Sequence, residues 1–167
     1  MCMCICYNHA TKIISLLGKI DSMASLKKIM KKKGFTCIEM KLTKTNHFKI
    51  KAKINGIKGS FIVDTGASNT CIHLEETDYF NLDLEENEVE TFGVGASHIK
   101  AQSAIAKTIA IGKHKTKKLT IGVFDLSHVN TALAHQNSKP IKGIIGSDIL
   151  KQAEAVIDYK ESLLFLK

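Results

Sequence analysis

Period-two alternation is the plainest signal in the chain. Phe48, Ile50, Ala52 and Ile54 are apolar while Lys49, Lys51 and Lys53 between them are charged, the pattern of a strand with one face buried. Asn55-Gly56 follows, two residues that tolerate positive φ, and a second apolar-rich run then leads to Val63. Together they predict a two-residue hairpin that sets Ile54 against Ile57, Ala52 against Gly59, Ile50 against Phe61 and Phe48 against Val63, with the apolar side chains of both strands on one face. That register delivers Asp64 just past the end of a strand, where a loop on a rigid sheet can hold its carboxylate still.

Upstream, residues 24–33 predict a short helix with Leu26, Ile29 and Met30 on one side and Gly34 as its stop. Phe35 to Leu42 then reads as a strand. Downstream, Cys71 to Leu74 resumes the sheet, and residues 75–90, with eight acids among Leu82, Leu84 and Val89, predict exposed helix and connection. Further strands are expected at Glu88 to Phe92, Ile99 to Ile111 and Lys118 to Phe124, with turns at Gly93, Gly95 and Gly112-Lys113. Residues 125–142 lose the alternation and contain the only proline, Pro140; they predict a long surface loop with one helical turn near Ser127 to Ala132. Gly146-Ser147-Asp148 opens a short helix to about Ala153, with Ser147 or Asp148 placed to cap it. Val156 to Tyr159 and Leu163 to Leu166, around a turn at Lys160-Glu161, predict a closing hairpin.

A chain of 167 residues can bury one real core and not two comfortable ones. Residues 1–34 are expected to form a partly disordered, basic extension carrying the helix, and residues 35–167 the folded domain. Charge supports that division: residues 1–60 hold 13 Lys against Asp21 and Glu39, whereas residues 61–167 hold 11 Lys against 14 acids. Every basic residue is Lys, so there is no guanidinium fork for bidentate reading of phosphates or base edges, and a specific nucleic-acid partner is not expected. The run from Lys27 to Lys33 reads as the solvated face of a short helix; the alternative is non-specific contact with RNA, anionic lipid or an acidic partner.

Five cysteines, at 2, 4, 6, 37 and 71, form no Cys-x-x-Cys pair and have no His at zinc-ligand spacing, which points to a reducing, cytoplasmic setting and to no metal. The Cys2-x-Cys4-x-Cys6 cluster, a conceivable soft-metal site, is too thin a pattern to change that expectation. Residues 1–22 make a poor signal peptide, and Met23 is a candidate alternative start. Nothing approaches the ~20 consecutive apolar residues of a membrane span.

The chemistry concentrates in two short motifs. Asp64-Thr65-Gly66-Ala67-Ser68 ends the predicted hairpin, and Ile144-Ile145-Gly146-Ser147-Asp148-Ile149-Leu150 follows near the C-terminus. Between them lies Phe92-Gly93-Val94-Gly95-Ala96-Ser97, whose glycines suit a mobile hairpin tip. Over roughly residues 45–167 this order resembles the retropepsin-like (clan AA) aspartic proteases, in the form of a bacterial-type single-domain member. The resemblance implies a mainly β fold, an acid-protease half-barrel with one short C-terminal helix in addition to the short N-terminal helix. It implies a homodimer, because activating a water takes two carboxylates that share a proton, and this chain carries one such loop. Asp64, Thr65 and Gly66 are then the catalytic loop: Asp64 pairs with its twin, Thr65 hydrogen-bonds across the dimer, and the Gly66 N–H donates to the carboxylate. Ala67, Gly93, Val94, Gly95 and Ala96 become the substrate-binding residues. No cofactor is needed, and the substrate is a peptide or protein in extended form.

Some features depart from the compact viral members. The His128 to Lys142 stretch is an insertion, and its His128, Asn130, His135 and Asn137 are polar enough to line a cleft, although solvent-facing loop positions are the simpler reading. The C-terminal hairpin closes within one chain, where viral enzymes commonly interleave their termini. Asp78, Asp83, Asp125 and Asp158 are not followed by Thr-Gly or Ser-Gly, and Asp148 reads as a helix-start residue. The expected activity is that of an aspartic endopeptidase; the alternatives are an inactive peptide-binding or dimerisation module of the same fold and a Lys-rich nucleic-acid binder.

Overall fold

The computed structural model describes residues 25–85, 89–93 and 96–167. The chain divides after Gly34. In the first unit helix α1, Leu26–Lys32, terminates at Gly34, whose φ of +85° is open to glycine at little cost. All the described strands belong to the second unit.

That unit opens with β1, Thr36–Glu39, and β2, Lys41–Leu42. The expected single strand over residues 35–42 is thus cut in two at Met40, which is buried. The halves go to different sheets, and so the continuous apolar-rich run conceals a corner. The hairpin of β3, Phe48–Ile54, and β4, Ile57–Val63, has the predicted register from Ile50↔Phe61 through Ala52↔Gly59 to Ile54↔Ile57. Its turn has Asn55 and Gly56 at φ +50° and +86°, the backbone that a two-residue hairpin twisting with its strands requires.

After β5, Cys71–His73, the acidic segment forms a 3₁₀ turn at Leu74–Glu76 and an irregular connection in place of the expected helix. Phe80 and Leu82 anchor it by burial in the core. Strands β6, Val89–Gly93, and β7, Ala96–Ile111, pair antiparallel. The second half of β7 pairs with β8, His114–Phe124, through a turn at Gly112 with φ +59°. The remaining elements are α2, Ser127–His135; β9, Gly143–Ile145; α3, Ser147–Gln152; β10, Val156–Asp158; and β11, Leu163–Leu166.

The larger sheet runs β2-β3-β4-β9-β5-β8-β7-β6. Because β7 also pairs with β3, at Lys53↔Ala110 and Ile54↔Ile109, six of these strands close on themselves as a small barrel. Phe61, Ile72, Ile109, Ile121 and Ile145 fill its interior. The smaller sheet, β1-β11-β10, holds β11 in the centre with both edges hydrogen-bonded inside one chain.

Helix α2 corrects the expectation of a loop with a single helical turn, and among the described residues it adds a third helix to the two expected. Val129 and Leu133, four residues apart and on one face, pack on Ile62, Ile141 and Ile144 outside the barrel. Its end is sealed by a left-handed Asn137, φ +53°, with Asn137 N–H donating to Ala134 and Ser138 N–H to Leu133, a Schellman closure.

Candidate active site

Asp64 follows β4 directly, and its backbone N–H donates to the Ile145 carbonyl at 3.0 Å. Since β9 runs parallel to β4 with Val63 beside Ile145, and antiparallel to β5 with Cys71 beside Ile144, the loop from Asp64 to Thr70 is stitched to β9 on both sides. The expected packing of Ile144-Ile145-Gly146 behind the carboxylate loop is therefore present.

Space explains the two glycines that bracket this strand. A Cβ on Gly143 would stand 2.2 Å from the Cys71 carbonyl oxygen, and one on Gly146 would stand 2.5–2.8 Å from the Asn69–Thr70 backbone. Backbone cannot yield as a side-chain tip can, so both positions exclude larger residues.

Below the loop lies a small polar network. Thr70, fully buried, donates its hydroxyl to Asp148 Oδ1 at 2.8 Å and its N–H to Asp148 Oδ2 at 2.9 Å, while its Oγ1 accepts the Gly146 N–H at 3.0 Å. Asp148 also accepts the Ile149 N–H at 2.8 Å. Asp148 therefore binds the start of α3 to the far end of the carboxylate loop. The N-cap position itself is Gly146, so of the two expected capping residues Asp148 serves from within the first turn, through the Ile149 N–H; the Ser147 hydroxyl instead donates to the Ser68 carbonyl at 3.2 Å and its N–H to Ala67 at 2.8 Å.

At the surface, Asp64 is half-buried, with Thr65 and Gly66 exposed beside it. The Gly66 N–H donates to Asp64 Oδ1 at 2.8 Å, a bond that fixes the orientation of the carboxylate. A cavity of about 390 Å³ opens on Asp64 and Thr65, walled by Leu42, His47, Phe48 and Tyr159. Sequence reasoning missed His47 and Tyr159; they reach the cavity only because β2–β3 and the C-terminal hairpin converge there. Cys71 sits behind the loop with its thiol pushed up to about 12, first by burial and then by the nearby Asp148 and Asp64 charges, partly offset by a hydrogen bond with the Ile144 backbone.

Ala67 is half-buried at the loop's far side. Gly93 and Ala96 face each other as the last described pair of the β6–β7 hairpin, and Val94 and Gly95 lie outside the described residues. In the insertion, Asn130 is structural: its side chain donates to the Ile141 carbonyl at 3.1 Å and accepts the Ile141 N–H at 2.9 Å. His128 and His135 are exposed on α2. Asp125 receives the Ser127 N–H at 2.9 Å and is held below the usual carboxylate range first by the Ser127 side chain and then by that N–H. No group of three His, Cys, Asp or Glu among the described residues is arranged to hold a metal, and no described helix is long and apolar enough to cross a membrane.

The family whose members are described as aspartyl protease matches residues 50–149, from inside β3 to the first turn of α3. The chain belongs to the aspartyl protease family. The chain is retropepsin-like in fold: it is similar to a retropepsin-like aspartic protease from Rickettsia conorii, with a TM-score of 0.54 and 24% identity over 80% of this chain and 90% of that one. EIAV protease complexed with the inhibitor HBY-793 matches at TM-score 0.46, 19% identity, 66% of this chain and 90% of that one. The retroviral protease-like domain of Ddi1 from Leishmania major matches at 0.47, 18%, 76% and 90%. No curated protein matches the sequence.

Proposed function

We propose that this aspartyl protease is an endopeptidase that works as a homodimer, with Asp64 from each of two copies meeting across the two-fold axis. The observation that carries the reading is the Asp64 loop itself: a carboxylate braced by the Gly66 N–H at 2.8 Å, half-buried at a cavity, with Thr65 and Gly66 left exposed where a second loop would pack.

In this reading the two carboxylates hold one water and share one proton. The charged one takes a proton from the water as its oxygen attacks the peptide carbonyl, and the protonated one donates to the oxygen that gains charge. The resulting tetrahedral diol collapses, breaking the C–N bond as the carboxyl that took the water proton passes it to the departing amine and the other carboxylate takes a proton from a diol hydroxyl. Because the titration belongs to the pair, the rate has a bell-shaped pH profile whose limbs belong to the dyad as a whole. Thr65 hydrogen-bonds across the interface, Gly66 braces the carboxylate, and Ala67 with Gly93, Val94, Gly95 and Ala96 contacts an extended polypeptide.

Asp64→Asn tests it. Wild-type protein should cleave an unfolded polypeptide, and the variant should lose at least ~1,000-fold while keeping its fold by circular dichroism, the scale expected when one half of an acid–base pair is removed. Equal cleavage by the variant would refute Asp64 as catalyst.

A further inference from the structure

The hairpin that delivers Asp64 turns its polar positions outward, and most of them are lysines: Lys49, Lys51 and Lys53 from β3, and Lys58 from β4. Along this face runs a groove of about 530 Å³ between β2–β3 and the segment that returns after α2. Lys41, Lys44, Lys49, Lys51 and Lys139 line it, and Glu39 is its one acid. Lys139 is brought there by the sealed end of α2, and its carbonyl accepts the Lys49 ammonium at 2.9 Å. Lys51 donates to the Ser60 hydroxyl at 2.7 Å. Among the described residues, none of the five forms an ion pair. Crowding is felt at Lys49, whose ammonium is held below its usual range by partial burial and then by Lys51, Lys41 and Lys139. Five convergent like charges against the single carboxylate of Glu39 repel one another and leave a positive potential in the groove.

A second observation ties the groove to the candidate active site. Leu42, half-exposed, lines both this groove and the cavity that holds Asp64. A chain leaving the cavity past Leu42 enters the lysines. We propose that the groove is an exosite for an acidic segment of the polypeptide substrate, gripping the chain several residues away from the bond at Asp64. The inference rests on the protease reading for what occupies the cavity. A polypeptide fits better than a nucleic acid, because the lining offers no aromatic side chain on which a base could stack and no arginine.

Binding to the full-length Asp64→Asn protein, which leaves the peptide intact, tests this by fluorescence anisotropy. The probes are a labelled flexible peptide with clustered Asp and Glu beside an apolar centre, its Asn and Gln counterpart, and single-stranded RNA of equal length. At low salt the acidic peptide should bind about tenfold tighter than the neutral one, and the gap should shrink as salt screens the lysines. The added double substitution Lys44→Glu with Lys139→Glu should erase the gap and leave neutral-peptide affinity unchanged, which separates the groove from the Lys27 to Lys33 run. A gap that survives the double substitution overturns the proposal. So does RNA binding tighter than the acidic peptide and lost in the same variant, which would assign the groove to nucleic acid. Cleavage by the otherwise wild-type chain is scored separately on the neutral peptide. Charge-dependent binding without any cleavage would fault the catalytic reading and overturn the exosite role, while cleavage without charge-dependent binding would fault the groove alone.

Discussion

Thr70 shows how a residue outside the Asp64-Thr65-Gly66 motif can hold it. Its hydroxyl both donates to Asp148 and accepts from Gly146, and it is fully buried. Thr70→Val keeps the shape but leaves a carboxylate oxygen short of a donor and a buried N–H without an acceptor, at a cost of about 2–4 kcal/mol, readable by urea denaturation. Cys71 gives a pH prediction. Its folded-state thiol is raised to about 12 from an ordinary 9.0, so the fold favours the neutral form. The stability this contributes is complete below about pH 9 and is lost as pH rises towards 12. Lysines titrate in the same range, so the difference between wild type and Cys71→Ala isolates the effect: the variant should lose less stability between those limits, as followed by thermal melts. Parallel alkaline slopes would show that Cys71 is not the group responsible.

Among the elements, the β3–β4 hairpin was the most legible, because period-two alternation and Asn55-Gly56 specify face, turn and register by local physics alone. Helix α2 was not. Its face is carried by Val129 and Leu133, while the Ser127, His128, Asn130 and Thr131 around them are weak helix formers, so the signal resides in what the helix packs against. The corner at Met40 was hidden for a similar reason: β1 and β2 have separate partners, supplied by β11 and β3. Asp64 and Gly146 could be located from motif spacing, whereas the close contact of Gly143 with Cys71 could not. The part played by Asp148 could not, since Thr70 is 78 residues away. The structure also makes α2 and the chain after it depend on one side chain. Asn130→Ala removes both bonds to Ile141, and the Ile141 amide should lose protection by roughly tenfold or more in hydrogen exchange, the effect of about 1–2 kcal/mol of local stability. Unchanged protection would mean that the apolar contacts of α2 suffice.

At the level of the molecule, one Asp-Thr-Gly loop per chain makes assembly part of the proposed chemistry. Interleaved C-terminal strands are an unsuitable route here, because β11 already has a strand on each edge within its own chain and all four of its residues are buried. The surface around Asp64 instead presents Tyr159, 69% exposed, beside the exposed Thr65 and Gly66. These are the groups on which a second copy would close the site. The most direct measurement is activity in mixtures of wild-type and Asp64→Asn subunits at fixed total concentration after exchange. An asparagine cannot exchange the proton that the dyad must pass, so hybrids should be inactive. Activity should then fall with the square of the wild-type fraction, to about a quarter in an equal mixture of randomly paired subunits. A fall in simple proportion to the wild-type fraction would mean that each chain works alone, and would contradict the account.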